Sequence, residues 1–97
     1  MTASIMHITL ANQAQPNDDV LFQEVGGEAV LLNLGSESYF GLNEVGTRIW
    51  ALLGENTSLQ NTFDILCAEY DVTPEQLQTD LLALVDEMAK AGLVQVS

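Results

Sequence analysis

The feature that most constrains the fold is the stretch Ser38–Gly46, which reads SYFGLNEVG. Its adjacent tyrosine and phenylalanine favour a short strand, because aromatic side chains fit a pleated, half-buried surface. Asn43 is a preferred helix N-cap residue, and apolar residues recur at helical spacing from Val45 onward. We expect a strand that leads straight into a helix to be the last of its sheet, with one edge free. A free edge can bind an extended peptide.

Two further strands are predicted before this one. Val20–Val25 and Glu28–Leu34 flank Gly26-Gly27, and consecutive glycines accept the positive φ angles of a two-residue hairpin turn. Gly35-Ser36-Glu37 provides a second tight connection to the third strand, Ser38–Leu42. The pattern predicts an antiparallel meander of three strands, with the third strand at one edge.

Three helices are predicted after the meander. The first spans Glu44–Leu53 and stops at Gly54, a residue type that is common just past the end of a helix. The second begins near Ser58, which serves as its N-cap. Together the elements predict an α+β fold, a three-stranded antiparallel β-meander followed by a three-helix bundle. The outline is winged-helix-like.

The third helix has the clearest start signal in the chain. Thr73 is its N-cap, Pro74 is its first helical residue, and Gln76 completes a capping box. It is predicted to run to Ala91 and to close at Gly92 in a Schellman motif.

Two apolar rows overlap on this helix. The core stripe contains Leu77, Leu81, Leu84, Val85 and Met88. The second row contains Gln78, Leu82, Val85 and Ala89. A helix with two such rows either lines a groove or lies between two neighbouring elements.

The length of 97 residues allows a single domain with one core, which we assign to residues 18–97. Residues 1–17 are predicted to be a flexible N-terminal segment, since residues 11–19 are polar and contain the turn-forming pair Pro16-Asn17. Within that segment, Ile5–Leu10 has the composition of a short strand.

Charge restricts the partners of the chain. Fourteen acidic residues against two basic ones give a net charge of −12. This field repels phosphate backbones and anionic membrane surfaces and attracts basic partners. The alternative interpretation is that the acidity serves only to keep the protein soluble. Arg48 and Lys90 alone cannot supply the phosphate contacts of a nucleic-acid-binding protein. The sequence has no apolar run of membrane-spanning length and no signal-peptide pattern, so we expect a cytoplasmic protein without a membrane partner.

The reactive side chains do not form a catalytic pattern. Cys67 is the single cysteine, and its apolar neighbours indicate a small buried hydrophobe. His7 is the single histidine, so a metal site or nucleophile–base pair built on histidine would depend on it alone. The sequence contains no glycine-rich phosphate-binding motif. We therefore expect no catalytic residue, no metal and no cofactor.

Several stretches together resemble the PqqD family, named for the small protein D of pyrroloquinoline quinone biosynthesis. The resemblance covers residues 20–96, and its most specific part is the run from Tyr39 to Gly46. The other matching stretches are Val30–Leu34, Ile49–Leu53, Glu69–Val72, Pro74–Leu77 and Leu93-Val94.

The resemblance implies a compact, winged-helix-like RiPP recognition element that is not an enzyme. Members of the family bind the leader region of a ribosomally made precursor peptide and present it to a modifying enzyme. That enzyme is a radical-SAM protein in the quinone pathway, or a leader peptidase acting with a cyclase in lasso-peptide pathways. The leader adds as a strand beside the third strand and lies against the third helix. Carried over to this chain, the site would contain Ser38, Tyr39, Phe40, Gly41 and Leu42 facing Gln78, Leu82, Val85 and Ala89.

Two functional hypotheses from different classes follow. The first is a leader-peptide-binding chaperone that uses strand addition. The second is a structural subunit or homodimer that uses the same edge strand for self-association, with Ile5–Leu10 as one candidate occupant of the groove. A degenerate DNA-binding regulator is a third and weaker alternative.

Overall fold

The computed structural model describes residues 8–97, in which five strands and three helices follow one another along the chain. The strands are β1 (Ala14–Pro16), β2 (Val20–Val25), β3 (Glu28–Asn33), β4 (Ser38–Leu42) and β5 (Val94–Val96). The helices are α1 (Glu44–Glu55), α2 (Leu59–Glu69) and α3 (Pro74–Lys90), all between β4 and β5. The predicted α+β class, with a meander followed by three helices, is confirmed.

Strands β2, β3 and β4 form an antiparallel sheet in that order, so β4 is an edge strand. The turn between β2 and β3 has φ angles of 63° at Gly26 and 87° at Gly27, which only glycine adopts at little cost. Strand β3 ends one residue earlier than predicted. The amide of Leu34 donates instead to the carbonyl of Asp19, at 2.9 Å, and the chain enters the turn that leads to β4.

The two faces of this sheet differ in burial. Ala29 and Leu31 on β3 and Leu42 on β4 are buried on the face that covers the helices. The opposite face carries apolar side chains that remain exposed: Leu21, Val25, Val30 and Tyr39. Only one face of the meander therefore contributes to the core.

Helix α1 begins where the sequence predicts and ends later. The side-chain oxygen of Asn43 accepts a hydrogen bond from the amide of Gly46, at 2.8 Å. The helix continues through Gly54 to Glu55, and the amide of Asn56 donates to the carbonyl of Leu52. A glycine inside a helix costs only about 1 kcal/mol relative to alanine. Burial of Leu52 and its neighbour Leu53 offsets that cost.

Helix α3 has the predicted cap at each end. The hydroxyl of Thr73 accepts from the amide of Gln76, at 3.3 Å. At the other end Gly92 has a φ of 75°, and the amide of Leu93 donates to the carbonyl of Met88, at 2.9 Å. This is the Schellman pattern. The reciprocal half of the capping box is replaced, because the side-chain amide of Gln76 donates to Asp80 instead.

The N-terminal stretch differs from the sequence prediction. Residues 14–16 form β1, which pairs antiparallel with β5, and Ala14 is fully buried. Its amide donates to the carbonyl of Thr57, and the amide of Asn17 donates to that of Leu93, both at 2.9 Å. Residues 8–17 therefore belong to the domain and are not the separate flexible segment that was expected. Residues 11–19 were predicted to be a linker because they show no apolar periodicity. Their contacts with the domain are mainly backbone hydrogen bonds, which leave no such pattern in the sequence.

The core lies between the inner sheet face and the three helices. Its fully buried large side chains come from every helix and from β3: Leu31, Ile49, Leu52, Leu53, Leu59, Leu66, Leu81, Val85 and Met88, together with Leu93. Cys67, which was expected to be buried, is half-buried and packs against this core. The prediction for His7 lies outside the described residues, as do residues 5–7 of the Ile5–Leu10 segment. The remaining apolar residues of that segment, Ile8 and Leu10, pack against the core. Among the helices of residues 8–97, none has both the length and the apolar composition needed to cross a membrane.

The placement of β1 predicts how one substitution changes stability. Ala14→Glu should lower the free energy of unfolding by about 3 kcal/mol or more, because it forces an unpaired carboxylate into the core. The matched control is Gln15→Glu, which adds the same charge at the exposed neighbouring position and should change stability by less than about 0.5 kcal/mol. Urea unfolding measures both. Equal midpoints for the two variants would mean that residues 14–16 are not held by the domain.

Candidate functional site

The outer edge of β4 presents main-chain groups that no other strand of residues 8–97 uses. Which groups these are follows from the hairpin. A two-residue turn makes Val25 and Glu28 a hydrogen-bonded pair, so alternate residues of β3 from Glu28 onward bond to β2. The amide of Leu34 fits this alternation, because it donates to the carbonyl of Asp19, the residue just before β2.

The remaining residues of β3 therefore bond to β4. In the observed register, Ala29, Leu31 and Asn33 face Leu42, Phe40 and Ser38 respectively. The amides and carbonyls of Ser38, Phe40 and Leu42 are thus used inside the sheet. Those of Tyr39 and Gly41 point away from it, toward the free edge. The edge offers two donors and two acceptors in the spacing that an added strand requires.

A groove lies beside the end of this strand, between β4, α1 and α3. We call it the strand groove, and its cavity has a volume of about 310 Å³. Its lining is mostly apolar and comes from all three elements: Gly41, Leu42, Asn43, Val45, Gly46, Ile49, Asp80 and Leu84. Side chains of an added strand that lie opposite Phe40 and Leu42 would share their inner face and point toward this groove.

The wall of the strand groove on the α1 side depends on Gly46. A Cβ atom at this position would lie 3.2 Å from Cδ2 of Leu42 and 3.3 Å from Oδ1 of Asn43. The missing side chain lets the first turn of α1 approach the end of β4 closely. Gly41, by contrast, has open space where its Cβ would be. It faces away from the helices.

Two contacts indicate how α3 is placed relative to β4. Near its C-terminus the carbonyl of Ala91 accepts from the side chain of Asn33, at 3.0 Å, and Asn33 pairs with Ser38 at the start of β4. Near its middle, Asp80 and Leu84 lie beside the end of β4. The α3 face that borders β4 is therefore the row that contains these two residues.

This row is not the one that the sequence predicted for α3. Gln78, Leu82 and Ala89 are absent from the lining of the strand groove, and Val85 is fully buried in the core. Leu84 was assigned to the core stripe, but it is only half-buried. Asp80 was missed because an isolated carboxylate on a helix is usually an exposed surface residue. The spacing of four residues between Asp80 and Leu84 was the available signal.

Acidic groups outnumber basic groups at the site, as they do over the whole chain. Arg48 on α1 forms a bidentate ion pair with Glu69 at the end of α2, with its Nε 2.9 Å from the carboxylate. The hydrogen bond from Arg48 lowers the pKa of the Glu69 carboxyl. The same hydrogen bond raises the pKa of the Arg48 guanidinium. Lys90 pairs with Asp86 at 3.0 Å. Both cations of the chain are thus engaged by acids other than Asp80, whose carboxylate accepts from the side chain of Gln76 at 2.9 Å.

Within residues 8–97 there is no group of three or more histidine, cysteine or acidic side chains arranged to hold a metal ion. What the described site provides is a free strand edge beside a mostly apolar groove with one carboxylate at its rim.

Residues 28–94 match the family model described as coenzyme PQQ synthesis protein D (PqqD). The chain belongs to the PqqD family. This membership confirms the resemblance seen in the sequence, and the match spans the meander from β3 onward and all three helices. No match is found among curated proteins.

Two solved structures are similar to this PqqD-family chain. The structure described as TbiB1 in complex with the TbiA(beta) leader peptide is 36% identical, with a TM-score of 0.78 over 84% of this chain and 94% of that one. The structure described as lasso peptide synthetase B1 complexed with the leader peptide is 23% identical. It has a TM-score of 0.75 over 86% of this chain and 98% of that one, and it supports the fold alone.

Proposed function

We propose that this protein binds the leader region of a ribosomally made precursor peptide and presents it to a modifying enzyme. The role is recognition and not catalysis. The observation that carries the proposal is the free edge of β4 beside the strand groove, in a chain that belongs to the PqqD family. The 36% identity to TbiB1, whose structure holds a leader peptide, supports the same ligand class.

In the proposed complex the leader adds to the sheet as a fourth strand. The main-chain groups of Tyr39 and Gly41 set the register, and alternate leader side chains enter the strand groove beside Leu84. A leader orders when it binds, so we expect an affinity near micromolar, about −8 kcal/mol.

Lasso-peptide biosynthesis is one of the pathways in which the PqqD-family resemblance implies this role. The partner enzyme would then be a leader peptidase acting with a cyclase. A radical-SAM enzyme, as in quinone biosynthesis, is the alternative partner within the same family role.

Self-association through the same edge is the competing function. The exposed apolar side chains on the outer sheet face, with Tyr39 76% and Val25 73% exposed, favour contact with another protein surface. A net charge of −12 on each copy opposes pairing of two identical chains. We therefore expect a single species of monomer mass in sedimentation velocity from low to high micromolar concentration. A concentration-dependent dimer that the leader dissociates would favour the competing function.

Two peptides serve as probes of leader binding. One, the cognate leader, is to be taken from a short precursor gene sought next to this chain's own gene, and the other is the TbiA(beta) leader, with which TbiB1 forms a complex. Calorimetry or fluorescence anisotropy measures the dissociation constant. Absence of binding by both peptides would contradict the proposed function.

The edge geometry predicts different effects for proline substitutions at two adjacent positions. Tyr39→Pro removes an outward donor and should weaken leader binding at least about fivefold while the fold is retained, because proline is tolerated on an edge strand. Ser38→Pro removes an amide that bonds to β3 and should lower stability instead. Tyr39→Ala is the control for the lost ring, since it keeps the amide. If Tyr39→Pro binds as well as Tyr39→Ala does, the leader does not pair with this edge.

The two rows of α3 can be separated with a second pair of variants. Leu84→Glu should weaken leader binding about tenfold or more, because it places a charge in the apolar strand groove. Leu82→Glu is the matched control, since Leu82 is equally half-buried but lies outside the groove lining. Urea unfolding of both variants corrects for any loss of stability. If Leu82→Glu weakens leader binding more than Leu84→Glu does, the leader contacts the row of α3 that was predicted from the sequence.

A further inference from the structure

A second cavity, of about 90 Å³, adjoins the strand groove. It lies between α1, the loop that joins α2 to α3, and the first turns of α3. We call it the loop pocket. Its main lining residues are Val45, Ile49, Tyr70, Val72, Leu77 and Asp80. Val45, Ile49 and Asp80 also line the strand groove, so the two cavities are neighbours that share a wall.

We propose that the loop pocket anchors an apolar side chain of the leader, in the residues that leave the paired segment at its Leu42 end, and that Asp80 binds a neighbouring leader lysine or arginine. This inference rests on the proposed function, which requires only the paired segment. It adds a second contact region and a chemical pattern for the leader, an apolar residue adjacent to a basic one.

The apolar part of the pattern follows from Val72. This side chain is 48% exposed although it borders a cavity whose other walls include the buried Leu77 and the half-buried Tyr70. The cavity is about three times the volume of a water molecule in the liquid, so it has room for part of an aliphatic side chain. Filling it would remove exposed apolar surface of both the loop and the ligand from water.

The basic part of the pattern follows from Asp80, the one charged residue in the linings of both cavities. The two cations of the chain pair with Glu69 and Asp86, and the partner of Asp80 is the neutral amide of Gln76. A cation from the ligand would therefore find its carboxylate without displacing an internal ion pair. The charge of −12 makes a basic segment the favoured one.

The ion pair between Arg48 and Glu69 links α1 to the start of the loop that lines the loop pocket. Glu69 is the last residue of α2 and directly precedes Tyr70, which begins the loop. Its bidentate contact to α1 holds the end of α2 beside the helix that forms the floor of both cavities.

The test compares Val72→Ser and Asp80→Asn against the cognate leader and the TbiA(beta) leader, each full-length and truncated from either end. For at least one full-length leader, Val72→Ser should weaken binding about threefold to tenfold, the fold-change expected for partial loss of one aliphatic contact. Asp80→Asn should weaken binding of the same leader and reduce its dependence on salt. Truncation at one end only should abolish both effects, which would identify the leader residues involved.

Two controls keep the result specific to the loop pocket. Leu21→Ser removes an equally exposed aliphatic side chain, 54% exposed on the opposite edge strand, and should leave binding unchanged. Val72→Thr keeps the shape of the side chain and serves if the serine variant unfolds. Wild-type affinity in both Val72→Ser and Asp80→Asn would overturn this inference while leaving the proposed function intact. Failure of the unmodified protein to bind either leader would overturn both.

Discussion

The close junction between β4 and α1 is the constraint on which the rest of the structure depends. Because Asn43 caps the helix one residue after the strand ends, the chain has no length in which to add another strand beside β4. Because residue 46 is glycine, the first turn of α1 comes close enough to Leu42 to form one wall of the strand groove. The free edge and the groove are both consequences of the five residues from Leu42 to Gly46. A side chain at position 46 would have to displace Leu42, which lines the groove.

The elements with strong local signals are the ones that sequence reasoning placed correctly. Gly26-Gly27, Asn43 and Thr73 each satisfy a backbone requirement within a few residues, and the structure has the turn and both caps at those positions. Family membership was recognisable for a related reason, since the run from Tyr39 to Gly46 encodes the junction itself.

What the sequence did not reveal depends on contacts between distant segments. The pairing of β1 with β5 joins residues about eighty positions apart, and β1 has one buried side chain to signal it. The face of α3 that lines the strand groove was not predicted for a similar reason. Periodicity shows which residues share a face, but the direction in which a helix with two apolar rows faces is set by its neighbours. Asn33, which bonds to Ala91, and the packing of α1 set that direction here.

Rough magnitudes show why an edge strand alone is insufficient for recognition. The two donors and two acceptors of Tyr39 and Gly41 can form four hydrogen bonds, each of net value about 1 kcal/mol. A micromolar complex requires about 8 kcal/mol, and ordering a flexible peptide costs a further 2 to 5 kcal/mol. The remainder corresponds to roughly 250 to 350 Å² of apolar surface removed from water, at about 25 cal/mol per Å². In the proposed complex the short β4 would therefore set the register, while most of the affinity and all of the side-chain selectivity would have to come from the groove. This division would also protect the protein, because an edge of five residues would bind little that does not fit the groove as well.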